Sequence, residues 1–279
     1  MHHPYFHLLQ KYIRFLQAEE RSSSTIDKYQ RDILFFLRSL REPDSITKAA
    51  VIAHKEALLR ENAMATVNAK LAAVNGFLTF CGLENCRVKP LRLQRKLFRD
   101  PSRDLSRDEY HRLLNAAGAQ RTPRLALLLE TICASGIRVS EVQYITVEAA
   151  RAGKAEISLK GKIRTILLPS KLSKKLLKYA KKQKIASGEI FLTRRGKGLS
   201  RKQIWAEMKA LCKQAGVAAS KVFPHNLRHL FAKCFFQACH DIARLADVLG
   251  HSSVETTRIY LLSSGAEHTK ILEQLRLIQ

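Results

Sequence analysis

HNLRH at residues 225–229 and LGHSSVETTRIY at 249–260 decide how the chain is read. Pro224 just ahead of the first segment fits a helix start, where a missing N–H costs nothing. His225 and Arg228 are three apart, so both fall on one side of a single helical turn. From 224 onward the pattern is helical, with breaks near Gly250 and Ser263–Gly265. Further upstream lie ASGIRVSE with Arg138 and SLKGKIR with Lys160. Arg138, Lys160, His225, Arg228, His251 and Tyr260 together offer two guanidiniums, an ammonium, two imidazoles and a phenol.

That inventory suits attack on a phosphodiester by a side-chain nucleophile, with no metal required. A phosphodiester is already anionic and its alkoxide leaves poorly. An enzyme must neutralise charge growing on the non-bridging oxygens and protonate the departing one. Guanidiniums stay charged and present a planar fork to two phosphate oxygens. Each residue alone also has a plain structural reading. Arg138 could sit on the surface, His225 and His229 could pack beside Phe223 and Leu227, and Tyr260 could bury its ring in a helix. The ordered set on one basic chain favours a shared site.

The formal net charge is +25, with +7 in residues 1–100 and +18 in 101–279. Such a field favours a polyanion without selecting a sequence. At 279 residues and 46% hydrophobic, the chain has material for one large or two ordinary cores. MHHPYFHLLQ lacks the features of a signal peptide, and Leu125–Leu129 is too short to span a bilayer, so an intracellular protein off the membrane is expected. The six cysteines form no CxxC and read as ordinary thiols; Cys234, Cys239 and His240 make at best a weak metal-ligand set.

Residues 1–90 read as a helical bundle. Tyr5, Leu8, Leu9, Tyr12 and Leu16 recur at helical spacing, Ser24 is placed to cap a helix to Leu40, and Thr47 and Thr66 to open two more, the last stopped by Gly82. Residues 91–103, with Pro101 and a run of basic side chains, read as a linker. Residues 104–279 read as a mixed domain. Ser106 and Glu109 form a capping box, and residues 155–159 and 163–168 flank Gly161 as a hairpin. A lysine-rich helix at 171–184 follows, then a short buried strand at EIFLT (189–193) and a Ser200-capped helix with Ile204, Trp205, Met208, Leu211 and Cys212 inward.

SGIRVSE, LKGK, PHNLRH and LGHSS…TTRIY resemble, in order and spacing, the tyrosine recombinase (phage integrase) family, and its short Xer-like members in particular. His251 and Tyr260 keep the family's nine-residue separation. The resemblance covers almost the whole chain. It implies a mainly α, two-domain protein: an N-terminal SAM-like helical bundle that binds core DNA, then a mixed α+β catalytic domain with a small β-sheet. It also implies site-specific cutting and rejoining of double-stranded DNA through a 3′-phosphotyrosyl bond, with neither ATP, metal nor other cofactor. Tyr260 is then the nucleophile, His225 the base, Arg138 and Arg228 the phosphate clamp, His251 a phosphate donor and Lys160 the general acid. Glu141, three residues after Arg138, would orient that arginine or contact the surroundings of His225. The hairpin has fewer glycines than the family pattern; Lys160 keeps the Lys-Gly step, and Lys162 is the alternative register. VQYITVEAA after Glu141 lacks the usual acidic residue of the next turn.

The implied assembly is a homo-tetramer on two DNA sites in the cytoplasm at the nucleoid, with accessory recombination proteins possible. A C-terminal exchange helix within 267–279 would carry Ile271, Leu272, Leu275 and Ile278 on one side. A type IB-like topoisomerase would use the same chemistry but rejoin the original strand, and a non-catalytic DNA-binding protein would not need the complete set.

Overall fold

The computed structural model describes residues 5–40, 46–93, 101–119, 123–159, 162–261 and 273–275. The chain divides into two compact units, residues 1–95 and 96–279.

The first unit contains four described α-helices: α1 (Tyr5–Ala18), α2 (Ser23–Arg38), α3 (Lys48–Glu61) and α4 (Met64–Phe80). Ile33, Phe36 and Leu37 of α2 pack with Val51 and Leu58 of α3 and Val67, Leu71, Val74, Phe77 and Leu78 of α4. This apolar stripe, spaced three and four residues apart, makes each helix amphipathic and gives the bundle its core. Two caps differ from the sequence expectation. Ser22, not Ser24, caps α2 by accepting from the Thr25 N–H at 3.3 Å. The fourth helix starts at Met64 after Ala63, with no side-chain cap, so Thr66 lies inside its first turn.

The second unit opens with α5 (Arg107–Ala119) and α6 (Pro123–Ser135). Ser106 and Glu109 form the expected reciprocal cap, at 2.8 and 3.1 Å. The segment after Arg138 is a 3-10 turn, Val139–Tyr144, and then comes α7 (Val147–Ala152). Strands β1 (Lys154–Leu159) and β2 (Lys162–Leu167) pair antiparallel, with Ile157 opposite Arg164. Then follow α8 (Ser170–Lys182), α9 (Arg201–Ala210), α10 (Cys212–Ala215), α11 (Pro224–Cys239), α12 (Ile242–Leu249) and α13 (Val254–Arg258). The main core gathers Leu128, Leu129, Ile132, Ile145, Leu176, Ile190, Phe191, Met208 and Leu227.

EIFLT is not a strand. Ile190 and Phe191 are buried, but the backbone makes only isolated bridges, Thr146 to Glu189 and Leu192 to Gly198, because its partner changes along the segment. Trp205 is likewise not core: it is 51% exposed beneath the Lys209 ammonium, while Ile204, Met208, Leu211 and Cys212 of the same helical run are buried. No described helix is long and apolar enough to cross a membrane. All six cysteines are free; Cys234 receives the Arg107 Nε–H at 3.2 Å and Cys239 donates to the Asp241 carbonyl, so with His240 they form no ligand cluster.

Candidate active site

Three backbone turns position the site. Gly136 ends α6 in the left-handed region (φ +63°), and a Cβ there would lie 2.4 Å from the Phe231 ring. The chain thereby reverses and delivers Arg138 at the head of the 3-10 turn. Gly250 ends α12 in the same conformation (φ +62°), turning the chain into His251. Ser253 then caps α13, and Tyr260 follows one turn later with its N–H donating to the Thr257 carbonyl at 3.0 Å.

Arg228 sits on α11, almost completely buried. Its guanidinium donates to the Gly136 carbonyl, to the Leu249 carbonyl at 2.7 Å and to His251 Nε2 at 2.9 Å. It therefore ties together the ends of α6 and α12, the two turns just described. The Tyr260 hydroxyl also interacts with this guanidinium and favours its charged form. Burial, followed by the nearby charge of Arg138, pulls its pKa down to about 10, which leaves it charged at neutral pH.

Because Arg228 can only donate, His251 Nε2 accepts, and Nδ1 carries the hydrogen shared with Thr257 Oγ1 at 2.8 Å. Burial and then the charges of Arg228, Arg138 and Arg164 lower His251 to about 4, so the ring is neutral. Tyr260 is enclosed by three imidazoles: His229, His225 and His251 have ring centroids at 5.4, 5.5 and 5.8 Å, the last stacked at 12°. His225, on the first turn of α11, is exposed, whereas His229 is buried with Nδ1 3.8 Å from Asp104.

Glu141 organises the other side. Its carboxylate accepts the Arg138 N–H at 2.8 Å and the Arg138 Nη1 at 2.9 Å, and it receives Arg164 Nη1 at 2.5 Å. Burial alone would push this carboxyl up. The Arg138 N–H, the Arg164 charge and the two guanidinium hydrogen bonds outweigh it and hold Glu141 below the usual carboxylate range.

The structure thus brings Arg138, His225, Arg228, His251 and Tyr260 together around one centre. Lys160 lies outside the described residues, and Lys162 enters β2 opposite Leu159. Sequence reasoning missed Arg164. A signal was present: Arg164 has the parity of the buried Ile166 and Leu168, so an arginine stands on the apolar face of a strand.

A family model described as the phage integrase family matches residues 103–267, and one for the N-terminal SAM-like domain of phage integrases matches residues 9–85. The chain belongs to the phage integrase family. Tyrosine recombinase XerC of Roseiflexus castenholzii is 30% identical over 279 residues, covering 94% of this chain and 82% of that protein. Tyrosine recombinase XerA of Pyrococcus furiosus is 28% identical over 282 residues, covering 96% of each. Among solved structures, a lambda integrase tetramer bound to a Holliday junction has the same fold, with a TM-score of 0.72 at 18% identity, covering 91% of this chain and 76% of that one. The protein is a tyrosine recombinase of the Xer type, an enzyme of site-specific DNA recombination.

Proposed function

We propose that Tyr260 attacks the scissile phosphate of a duplex recombination site. The Tyr260 oxygen forms a bond to phosphorus, the 5′-oxygen bond breaks, and a 3′-phosphotyrosyl link and a free 5′-hydroxyl result. The 5′-hydroxyl of a partner strand then attacks the link and returns the tyrosine. The energy of the broken bond is held in the covalent link, so the cycle calls for no nucleotide cofactor. The observation that carries this reading is the seat of Tyr260: ringed by three imidazoles, one of them, His251, bonded to the guanidinium of Arg228.

A phenol becomes an effective nucleophile as it loses its proton, so Tyr260 needs a base, and the exposed His225 beside it is the group suited to that task. The charge of Arg138 is close enough to disfavour that of Arg228, a repulsion that an anion between them relieves. They take the non-bridging oxygens. His251 joins them as a donor once the bound phosphate offsets the arginines and lets the ring gain a proton. Lys160 gives a proton to the departing 5′-oxygen, with Lys162 as the alternative. Four protomers on two duplex sites, in the cytoplasm at the nucleoid, would complete a reaction that exchanges four strands; the tail at 267–279, outside the described residues except 273–275, is the proposed link between them.

The test is a nicked suicide duplex resolved on a denaturing gel. Tyr260→Phe should lose covalent trapping and keep its affinity, since most contacts of such proteins go to the DNA backbone. Trapping by the Phe variant at the wild-type level would refute the assignment.

A further inference from the structure

Arg164 is the one described guanidinium of the site to which the proposed chemistry gives no task, and its environment is unusual. It projects from β2 on the face shared with Ile166 and Leu168, opposite Ile157, where an aliphatic side chain would be the ordinary occupant. Burying a guanidinium is costly unless its hydrogen bonds are replaced. Here Nη1 donates to both oxygens of Glu141 at 2.5 Å, and Nη2 donates to the Val248 carbonyl at 3.2 Å, in the last turn of α12. Nε is buried with no hydrogen-bond partner among the described residues, so the two Nη groups hold the side chain in place. The stem matters as well: a Cβ on Gly250 would fall 2.3 Å from Arg164 Cδ, so the turn leading to His251 runs directly against it.

Arg164 therefore touches three parts of the site. Glu141 carries Arg138, the end of α12 carries His251, and β2 leads back through Lys162 to Lys160. We infer that Arg164 is a positioning residue that straps the β1–β2 hairpin, and with it the general-acid lysine, to the arginine and histidine side of the site. The inference rests on the assignment of the acid to the hairpin made above. An untethered hairpin would still pair strand to strand, but its tip would no longer keep a fixed distance from the leaving oxygen. Misplacing a reacting group by about an ångström costs about 100-fold in rate.

The test follows from what the lysine does. A 5′-bridging sulfur leaves without a proton, so it bypasses the acid and nothing else. Wild type is first used to capture its own cleavage site covalently from genomic fragments. Suicide duplexes with oxygen or sulfur at the bridging position are then built on that site. Arg164→Ala should cleave the oxygen duplex about 100-fold more slowly than wild type and the sulfur duplex within about fivefold of it. Arg164→Lys retains the charge near Glu141 but lacks the fork needed to reach Val248 as well, so it should show the same sulfur rescue. Equal slowing on both duplexes, or full activity of the Lys variant, would overturn the strap.

A second readout needs no DNA. In the full chain, amide hydrogen exchange of β1 and β2 should accelerate at least about tenfold in Arg164→Lys, while α6 and α11 keep their protection. Unchanged exchange in the hairpin would also overturn the inference. If wild type captures no site at all, the function proposed above fails, while exchange still decides whether the strap exists.

Discussion

Arg228 and His251 are bonded to each other, Nη2 donating to Nε2 over 2.9 Å. The bond fixes the imidazole tautomer, with Nδ1–H toward Thr257, and occupies the nitrogen that would meet a phosphate. Both ring nitrogens of His251 are thus partnered within the site. Phosphate must take Arg228 partly away from His251, and its negative charge then favours the proton that makes the ring a donor.

Acid should weaken the second unit through this histidine. The folded pKa is about 4 and the unfolded value is 6.5, so as pH falls the unfolded chain binds the proton first. Stability is present above pH 6.5 and is lost as pH falls towards 4. At pH 5 the loss is at most about 2 kcal/mol. His54 in the first unit is also lowered to about 4, by burial and then by Lys70, so a whole-protein measurement would mix the two. Trp205, the single tryptophan, reports on the second unit. Urea unfolding followed by its fluorescence at pH 7 and pH 5 should show a smaller drop in His251→Gln than in wild type. Equal drops would place the acid sensitivity elsewhere.

The two site glycines should fail differently. Both are left-handed, which costs an L-residue about 1–2 kcal/mol. At Gly136 the new methyl meets the Phe231 ring within a packed cluster, adding about 1–3 kcal/mol of overpacking. Gly136→Ala should lower thermal stability markedly. At Gly250 the methyl meets a side-chain stem, Arg164 Cδ, which can yield. Gly250→Ala should keep more stability and lose more cleavage activity than its melting temperature predicts. Parallel losses in both variants would contradict this.

Arg228 should prove structural before it is catalytic. Its side chain serves the Gly136 and Leu249 carbonyls in a fully buried position. A lysine offers a point charge and no fork, so it cannot span both. Arg228→Lys should lose about 2–4 kcal/mol in chemical denaturation without DNA, within the range for breaking a buried network. A change below about 0.5 kcal/mol, the scale of surface substitutions, would show that the network is dispensable.

The parts of this molecule that were legible in its sequence are those set by local chemistry. Ser106–Glu109 and Ser200–Gln203 cap helices because three-residue spacing alone satisfies the first N–H groups. Ser22 against Ser24, or Ala63 against Thr66, is a choice among neighbours made by how the helix docks, which spacing does not encode. Trp205 sits next to the buried Ile204, so its type suggested core while its angular position turned it to solvent. The site residues were readable as an ordered set, yet Arg164 was not, because its partners Glu141 and Val248 lie 23 and 84 residues away. Only the strand parity hinted that this arginine faces inward.

Two lysines of the hairpin segment, Lys160 and Lys162, compete for the role of general acid. β1 ends at Leu159 and β2 begins at Lys162, with Leu159 and Lys162 a paired position. Lys162 is thus the first residue of β2, two before Arg164, whereas Lys160 lies outside the described residues. Lys160 keeps the Lys-Gly step of the family pattern, and this favours it as the general acid. Lys160→Ala should therefore slow cleavage of a 5′-oxygen duplex by about 10²–10⁴-fold and recover nearly all of that on a 5′-bridging sulfur duplex. Lys162→Ala should slow both by similar, small factors. Selective rescue in Lys162→Ala alone would move the acid to the strand and make Arg164, two residues along, its immediate brace.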